Sequence, residues 1–482
     1  MKIPSQFGSR ASQFRRCYLF FALLCTNIAL GQNSWTVVDT PNPSSNNSHL
    51  KGIAALTSSD VWAVGFYTDN AAGAFLNLAM HWNGSSWTIT PTPNPSQPNT
   101  DQLKKVAAVA SNDVWAVGGH GLSVILRWNG AQWTQVPRPP VNFNAQYTNV
   151  AHDLDDIAAI ASNDIWAVGW LDAQNGGSIT LTMHWDGVQW TQIPSPNVPM
   201  PSGSFYSQRL EAVTAIAPND VWAVGFYRVG NTEHPLSMRW NGTQWNLVPT
   251  PDGPPTPQAP NGDGWLHGIA AAGPNDIWAV GEYNKVDFNS FAKPFAMHWN
   301  GASWTVVLPP NPGYLGVAPL NSVVARGPND FLAVGEVYNS NQGFNTFVVR
   351  WNGSTWTQVP SETPAGTGTG WNQLHDVARD SSGGLWTAGV KQASFSSGNY
   401  TLVERSPVAA PVPLVSAASW KQHDTQAYGI ALPLSGTPGM ETRDAGPSGD
   451  HTIVFTFAQT LNGVGEVTVA GSGKVSGSRI DP

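Results

Sequence analysis

The chain repeats one short pattern along most of its length, and this repetition limits its fold more than any other feature. Asp-Val-Trp-Ala-Val-Gly begins at Asp60 and returns six more times with small changes. The third residue of each copy is, in turn, Trp62, Trp115, Trp166, Trp222, Trp278, Leu332 and Trp386, a spacing of 51 to 56 residues. A repeat of this length is one supersecondary unit that buries its apolar face only against neighbouring copies.

Each copy predicts four short β-strands. An alternating apolar run such as residues 50–55 precedes the motif, and a tight turn carrying Asp joins the two. A third segment ends in His-Trp or Arg-Trp, and an Asn-Gly turn leads from it into a fourth segment that starts with Trp. Strand alternation inside a repeat of about 50 residues is typical of a β-propeller, in which every copy forms one blade.

The last copy lacks a fourth strand. It has no Trp-Asn-Gly-x-x-Trp segment, whereas residues 34–40 read Ser-Trp-Thr-Val-Val-Asp-Thr, like the fourth strands of the other copies. We expect this N-terminal strand to complete the last blade, because closing the ring removes an open sheet edge. The predicted fold class is all-β: a seven-bladed β-propeller over residues 32–407, with the last blade shared between its two ends.

This pattern resembles the kelch-type propellers, including the galactose-oxidase-like ones. A glycine ends the second strand, and an aromatic residue on the third strand precedes a tryptophan on the fourth; the kelch Gly-Gly doublet occurs here only at Gly118 and Gly119. The pattern is also similar to a group of secreted bacterial propellers with Asn-Asp-Val-Trp-Ala-Val-Gly repeats. The resemblance implies a fold but no active site. The copper site of the galactose-oxidase-like proteins requires a Cys cross-linked to Tyr, and the only cysteines here are Cys17 and Cys25.

The two ends of the chain differ from the repeats. Residues 1–31 combine a basic start, a short apolar core and small residues near Gly31, which predicts a signal peptide and a secreted protein. Cys17 and Cys25 fall inside this segment, so the mature chain would contain no thiol. Residues 408–414 are interpreted as a linker, and residues 415–482 as a small β-sandwich-like module that we expect to be incomplete.

Net charge restricts the partners. The formal charge is −8, and removing the four basic residues of the leader takes it to about −12. A chain this acidic is unsuited to nucleic acid, and no later stretch is apolar enough for membrane insertion. We expect a monomer whose partner is a polysaccharide or glycan, or an extracellular protein.

The repeat accounts for most of the 23 tryptophans as packing between blades. Trp170, Trp265 and Trp371 do not follow it, and all three map to the loops around the axial funnel. Further aromatic residues come one to three positions after the motif glycine: Phe66, Tyr67, Phe226, Tyr227, Tyr283 and Tyr338. Exposed rings on a weakly charged face suit stacking on sugars, so we take Trp170, Trp265, Trp371, Tyr67, Tyr227 and Tyr283 as candidate ligand-binding residues. The alternative is that these rings pack the loops onto the disc.

Polar residues at the start of the first strands are the second candidate group. They are His49, Lys51, Lys104, Asp155, Glu211, His267, His375 and Asp376. His267 and His375 are assigned to ligand binding, while Asp155, Glu211, Glu282 and Glu336 could act as acid and base on a glycosidic bond or hold calcium. A solvated polar funnel is the alternative. His81, His184 and His298 are not interpreted as metal ligands, because arginine takes their repeat position in other blades.

The leading hypothesis is therefore a secreted, non-catalytic binding protein for polysaccharide. A structural or protein-docking propeller of the cell envelope is one alternative, and a glycan-cleaving hydrolase or lyase is another. The sequence contains no nucleophile elbow, His-Glu-x-x-His helix or sialidase-type turn, which argues against an enzyme. No cofactor is expected, with calcium as the alternative.

Overall fold

The computed structural model describes residues 35–45, 47–69, 74–95, 102–142, 150–173, 177–199, 206–257, 259–284, 292–312, 317–339, 343–362, 370–392, 398–406, 414–423, 426–432 and 452–457. Within these ranges the chain forms strands and turns, with no helix. The described part accordingly offers no helix with the length and hydropathy to cross a membrane. The chain divides into two compact units, Ser34–Val408 and a second one formed by Met1–Asn33 with Ala409–Pro482.

The larger unit is built from short antiparallel strands. In chain order they are β1 (Thr36–Val38), β2 (Ser48–Thr57), β3 (Asp60–Asp69), β4 (Ala74–Trp82), β5 (Trp87–Ile89), β6 (Leu103–Ala110), β7 (Asp113–Gly119), β8 (Ser123–Trp128), β9 (Trp133–Gln135), β10 (His152–Ala161), β11 (Asp164–Asp172), β12 (Ser178–Trp185), β13 (Trp190–Ile193), β14 (Tyr206–Ala217), β15 (Asp220–Val229), β16 (Thr232–Trp240), β17 (Trp245–Leu247), β18 (Trp265–Gly273), β19 (Asp276–Tyr283), β20 (Lys293–Trp299), β21 (Trp304–Val306), β22 (Leu320–Gly327), β23 (Asp330–Asn339), β24 (Gly343–Trp351), β25 (Trp356–Gln358), β26 (Trp371–Arg379), β27 (Leu385–Gln392) and β28 (Tyr400–Ser406).

These strands pair in consecutive groups of four, each group a meander. The groups are β2–β5, β6–β9, β10–β13, β14–β17, β18–β21 and β22–β25, followed by a closing group of β26–β28 with β1. First strands contact the first strands of the neighbouring groups, and β2 contacts β26, so the cycle returns to its start. Radial meanders around a common axis define a β-propeller, the fold that the repeat predicts.

The closing group joins the two ends of the unit. β1 runs antiparallel to β28, with Thr36 opposite Arg405 and Val38 opposite Val403. Trp35 is buried, and the Thr40 and Thr401 hydroxyls lie 2.7 Å apart. The N-terminal segment therefore takes the fourth-strand position that the last copy of the repeat lacks.

Glycine is required for different physical reasons at the end of the motif and in the Asn-Gly turn. A Cβ on Gly65, at the end of Ala-Val-Gly, would lie 2.0 Å from the carbonyl oxygen of His49, so only glycine allows the two strands to approach. Gly84, in the turn between β4 and β5, has a φ of +97°, and the Asn83 Oδ1 accepts the backbone N–H of Ser85 and Ser86. The short turn is thereby held by an Asx-type hydrogen bond pattern.

In the first six groups, the Asp of the motif binds a residue on the third strand of its own group. In three groups the partner is histidine at 2.8 or 2.9 Å, in the pairs Asp60–His81, Asp164–His184 and Asp276–His298. In three others it is arginine at 2.8 or 2.9 Å, in the pairs Asp113–Arg127, Asp220–Arg239 and Asp330–Arg350. These histidines and arginines also lie over the second-strand tryptophan in several groups, as His81 does over Trp62 at 4.3 Å. Their repeated role is to tie strands together.

Tryptophans fill the spaces between neighbouring groups, as the repeat predicts. Trp62 of one group lies 4.9 Å from Trp128 and 5.4 Å from Trp133 of the next, measured between ring centroids. Equivalent triads are Trp115 with Trp185 and Trp190, Trp166 with Trp240 and Trp245, Trp222 with Trp299 and Trp304, Trp278 with Trp351 and Trp356, and Trp386 with Trp82 and Trp87. The last triad joins the closing group to the first one.

The smaller unit contains β29 (Leu414–His423), β30 (Gln426–Leu432) and β31 (Thr452–Phe457). They form one antiparallel sheet in the order β30-β29-β31. Most of the predicted module 415–482 lies outside the described residues, as do the predicted signal peptide with Cys17 and Cys25, and the linker except for Leu414.

Candidate functional site

Every first strand carries a β-bulge at the same place, directly after a buried leucine. In the first group the register shifts between Leu50 and Gly52, which leaves Lys51 as the extra residue. The bulge recurs in every group, and the residues at this position are Lys51, Lys104, Asp155, Glu211, His267, Asn321 and His375. We call this set the inner ring. Bulges re-aim side chains, and here they direct one polar residue from each first strand toward its neighbours around the axis.

The next residue of each first strand forms a plug below the inner ring. Lys105 Nζ lies 2.6 Å from Asp376 Oδ1, and the Ser322 hydroxyl donates to the same oxygen at 2.7 Å. The Asp376 Oδ2 accepts the backbone N–H of Ile53 at 2.9 Å. Asp156 accepts the N–H of Val213 at 2.8 Å, and burial raises its pKa to about 6. These contacts involve six different groups around a cavity of about 130 Å³.

Lys104 of the inner ring is fully paired with carboxylates. Lys104 Nζ lies 2.6 Å from Asp153 Oδ2 and 2.7 Å from Asp155 Oδ1. Burial opposes the charged form of Lys104, but the two carboxylates outweigh it and raise the pKa of the lysine. Asp155, a candidate acid or base, is therefore engaged in an ion pair.

Lys51 has a different environment. Its Nζ lies 3.2 Å from His375 Nε2, and the His375 Nδ1 lies 2.7 Å from the Leu50 carbonyl oxygen. The Nδ1–H donates to that carbonyl, so Nε2 is left to accept from the lysine. Burial lowers the pKa of His375 well below its usual value and that of Lys51 to about 8. A neutral imidazole thus faces a partly buried ammonium.

Two carboxyl groups at the ring have raised pKa values. Burial raises the pKa of Glu211 to about 7, assisted by the charge of Asp155. Burial also raises the pKa of Glu336 to about 7, although Asn321 donates to its Oε2 at 2.7 Å and Gln373 to its Oε1 at 3.1 Å. Perturbed carboxyl groups of this kind can accept or donate a hydrogen bond near neutral pH.

His267 interacts electrostatically with both of these carboxyl groups. Its Nε2 lies 3.6 Å from an oxygen of Glu282, which is buried and pairs in register with Trp265. The Trp265 ring lies 5.1 Å from the imidazole. The predicted residues His267, Glu282 and Trp265 therefore lie together beside the ring.

The three off-pattern tryptophans are half-buried and each contacts another group. The Arg209 guanidinium lies 4.4 Å above the Trp170 ring, and Phe226 lies 4.4 Å from Trp265. Trp371 stacks on Phe344 with ring centroids 5.0 Å apart. The structure places them on different groups but at the same end of the strands.

The tyrosines are placed similarly. Tyr227 stacks on His234 at 5.0 Å, Lys293 lies 5.6 Å from the Tyr283 ring, and Tyr67 packs against the core cluster of the first group. All three are half-buried. The expectation of exposed rings is wrong for Phe66 and Phe226, which are buried because they pair with first-strand residues and pack inside their groups.

Sequence reasoning named six of the seven inner-ring residues, without Asn321. It named Asp376 as a funnel residue but did not predict the plug or the Lys51–His375 contact. Lys105 and Asp376 lie 271 residues apart, and their contact depends on Gly52, because a Cβ there would lie 2.8 Å from the Lys105 Cα. The buried leucine of each first strand is the signal that could have located the plug. When the copies are aligned on it, Lys105, Asp156 and Asp376 occupy the same position of the repeat.

Comparison with known proteins gives structural similarity alone. No family model matches the chain, and no curated protein matches it in sequence. A structure of YCF48 bound to D1 peptide is 15% identical, with a TM-score of 0.45, over 80% of this chain and 100% of the other. A polysaccharide lyase described as an ulvan lyase is 10% identical, with a TM-score of 0.47, over 78% and 95%. A variant of Aleuria aurantia lectin in complex with alpha-methyl-L-fucoside is 15% identical, with a TM-score of 0.36, over 67% and 100%.

Proposed function

We propose that this chain is a secreted, seven-bladed β-propeller that binds a polysaccharide or glycan without cleaving it. The ligand lies on the funnel face, meaning the end of the groups where first strands begin and second strands end. The observation that carries the proposal is the set of half-buried rings at that end, on several different groups around a polar ring. They are Trp170, Trp265, Trp371, Tyr67, Tyr227 and Tyr283.

Two of these rings are held by contacts with neighbouring groups. Arg209 holds Trp170 and Phe344 holds Trp371, so each ring is fixed before a ligand arrives. A preorganised aromatic surface loses little conformational entropy on binding. The inner ring supplies hydrogen-bonding groups of the kind that sugar hydroxyls need, with His267 and His375 among them.

Export and architecture form part of the same proposal. The basic and apolar residues 1–31 support secretion, and the pairing of β1 with β28 supports seven blades with a shared last one. The kelch-like glycine and tryptophan positions support that resemblance, and β29–β31 support a separate C-terminal β-module.

The proposal is tested with a glycan array followed by titration of the best ligand. Trp371→Ala removes a stacking surface, and we expect binding to weaken about fivefold, since one stacked ring contributes on the order of 1 kcal/mol. Ile89→Ala, on an exposed fourth strand, is the control and leaves affinity unchanged. Absence of binding across a broad array contradicts the proposal and favours a protein-docking role.

A second candidate function is cleavage of the glycan. Its supporting observation is the pair of carboxyl groups, Glu211 and Glu336, whose pKa values burial raises to about 7. Such groups can act as a general acid near neutral pH. Release of reducing ends or unsaturated products from a polysaccharide panel, lost in Glu336→Gln, supports cleavage; no release from any substrate rejects it.

A further inference from the structure

The lysines and arginine around the axis differ in how their charge is neutralised. Lys104 binds two carboxylates and Lys105 binds Asp376. Arg209 lies over Trp170 and donates to the Ser178 hydroxyl at 3.3 Å. Among the described residues, Lys51 has no carboxylate oxygen within 4.0 Å of its Nζ.

The neighbours of Lys51 do not replace the missing counter-charge. His375 accepts one N–H and is neutral, and His49 of the same strand is occupied by Asn47 at 2.7 Å and Asn399 at 3.1 Å. Glu336 attracts Lys51 from β23, but its oxygens already accept from Asn321 and Gln373. Lys104 on β6 repels Lys51.

This arrangement leaves an ammonium with two N–H groups available. A partly buried cation without an anion is unfavourable, because desolvation is not offset by an opposite charge. An ammonium in this position gains a charge-assisted hydrogen bond from any anionic oxygen that reaches it.

We propose that Lys51 binds an anionic group of the glycan, a carboxylate or a sulfate ester, so that the ligand is an acidic polysaccharide. This inference rests on the proposed function, since the glycan must lie on the funnel face to reach the inner ring. The anion supplies the counter-charge for Lys51, while the aromatic rings hold the neighbouring sugars.

The proposal gives a direction for pH dependence. Lys51 carries its charge below about pH 8, and Glu336 becomes neutral below about pH 7, which removes a negative charge from the site. His49, with a pKa lowered by burial to about 4, and His375 stay neutral from pH 5 upward, while Lys104 stays charged. Binding of the anion is therefore strongest near pH 6 and weakest near pH 9.

The test uses the full-length chain and three probes in isothermal titration calorimetry at pH 6 and pH 9. The probes are tetragalacturonate, its neutral methyl ester and a sulfated galactose tetramer. The wild type is expected to prefer a charged probe over the ester at pH 6 and to lose that preference at pH 9. Lys51→Met is expected to weaken the charged probe at least about tenfold and leave the ester unchanged, since a hydrogen bond to a charged group contributes about 1.5–3 kcal/mol.

Two variants serve as controls. Lys51→Arg keeps the charge and is expected to keep most of the preference. Arg379→Met removes an exposed cation from the last residue of β26, at the end of that strand away from the funnel face, and leaves both affinities unchanged. If Lys51→Met does not fold, the pH-dependent preference of the wild type decides. Equal affinity for acid and ester overturns this inference but leaves glycan binding intact. Failure of all probes and of a glycan array overturns the proposed function as well.

Discussion

Glu404 is a buried carboxyl group in β28, and it forms no ion pair with any other described residue. Among the described residues neither of its oxygens has a hydrogen-bond partner. Burial, assisted by the charge of Glu362, raises its pKa from 4.5 to about 8. The fold therefore holds this carboxyl group in its neutral form at neutral pH.

This environment makes Glu404 a source of pH-dependent stability. A neutral carboxyl group in the fold and an ionised one in the unfolded chain mean that stability falls as pH rises from about 4.5 to about 8. Glu404→Gln removes this loss. We therefore expect the melting temperature of the variant to gain on that of the wild type as pH rises, and the gain from pH 5 to pH 9 to be about 2–4 °C. Calorimetry at both pH values measures the difference, with exposed Asp39→Asn as the comparison. An equal shift at both pH values contradicts the prediction.

The motif glycines supply a second prediction for single residues. A Cβ on Gly65 would lie 2.0 Å from the His49 carbonyl oxygen, so Gly65→Ala must separate β2 from β3. We expect a loss of several kcal/mol, about 3 or more, comparable with other severe steric changes. Gly273→Ala is the matched control, because a Cβ there meets no atom within 4 Å. Chemical denaturation compares the two, and similar stabilities for both variants would refute the close-approach argument.

At the scale of strands, the tryptophan triads explain why two residues that face each other between neighbouring groups depart from the repeat together. Leu332 takes the second-strand tryptophan position of the group before the closing one. In the closing group, Ser406 takes the position that Trp82 holds in the first group, and Trp35 packs in one cluster with Leu332. Leu332 replaces a tryptophan on one group and Ser406 replaces a tryptophan on the next. With Trp35 packed beside Leu332, the interface between these two groups stays filled.

The triads also separate scaffold from site. Trp133 packs edge-to-face on Trp62, and its indole N–H donates to the Thr90 hydroxyl at 3.1 Å. Trp133→Ala is expected to destabilise the propeller by about 3–5 kcal/mol, because it opens a cavity between two groups. Glycan affinity of the folded fraction stays unchanged, in contrast to Trp371→Ala. Denaturation and titration of both variants distinguish the roles, and the opposite pattern would show that the assignment is reversed.

The sequence predicts the strands better than the site, for a physical reason. Alternation and the Asn-Gly turns are local, so they place β2 to β5 and their copies almost completely. The closing strand was predictable because Trp35 and its neighbours copy the fourth-strand pattern. The bulge at Lys51 inserts one residue into a strand without any local signal, and the plug of Lys105 and Asp376 joins residues distant in sequence. The half-burial of the aromatic rings depends on partners such as Phe344, which the repeat does not specify.

At the scale of the whole molecule, the propeller is closed by a short strand from the other end of the chain. β1 is 3 residues long, yet it covers the edge of β28 and brings Trp35 into the core. The Trp386, Trp82 and Trp87 triad adds a second closure between the closing group and the first. Closure by strand pairing and by side-chain packing together fixes both ends of the ring.

Removal of the N-terminal strand should therefore destabilise the entire ring. Deleting residues 1–40 exposes the unpaired edge of β28, removes buried Trp35 and breaks the contact between Thr40 and Thr401. We expect a lower melting temperature and aggregation, because an open edge pairs with other chains. Deleting residues 1–33 keeps β1 and is the matched control. Scanning calorimetry and size-exclusion chromatography measure both effects. If the longer deletion stays soluble with the melting temperature of the control, the triad alone closes the ring and β1 is dispensable.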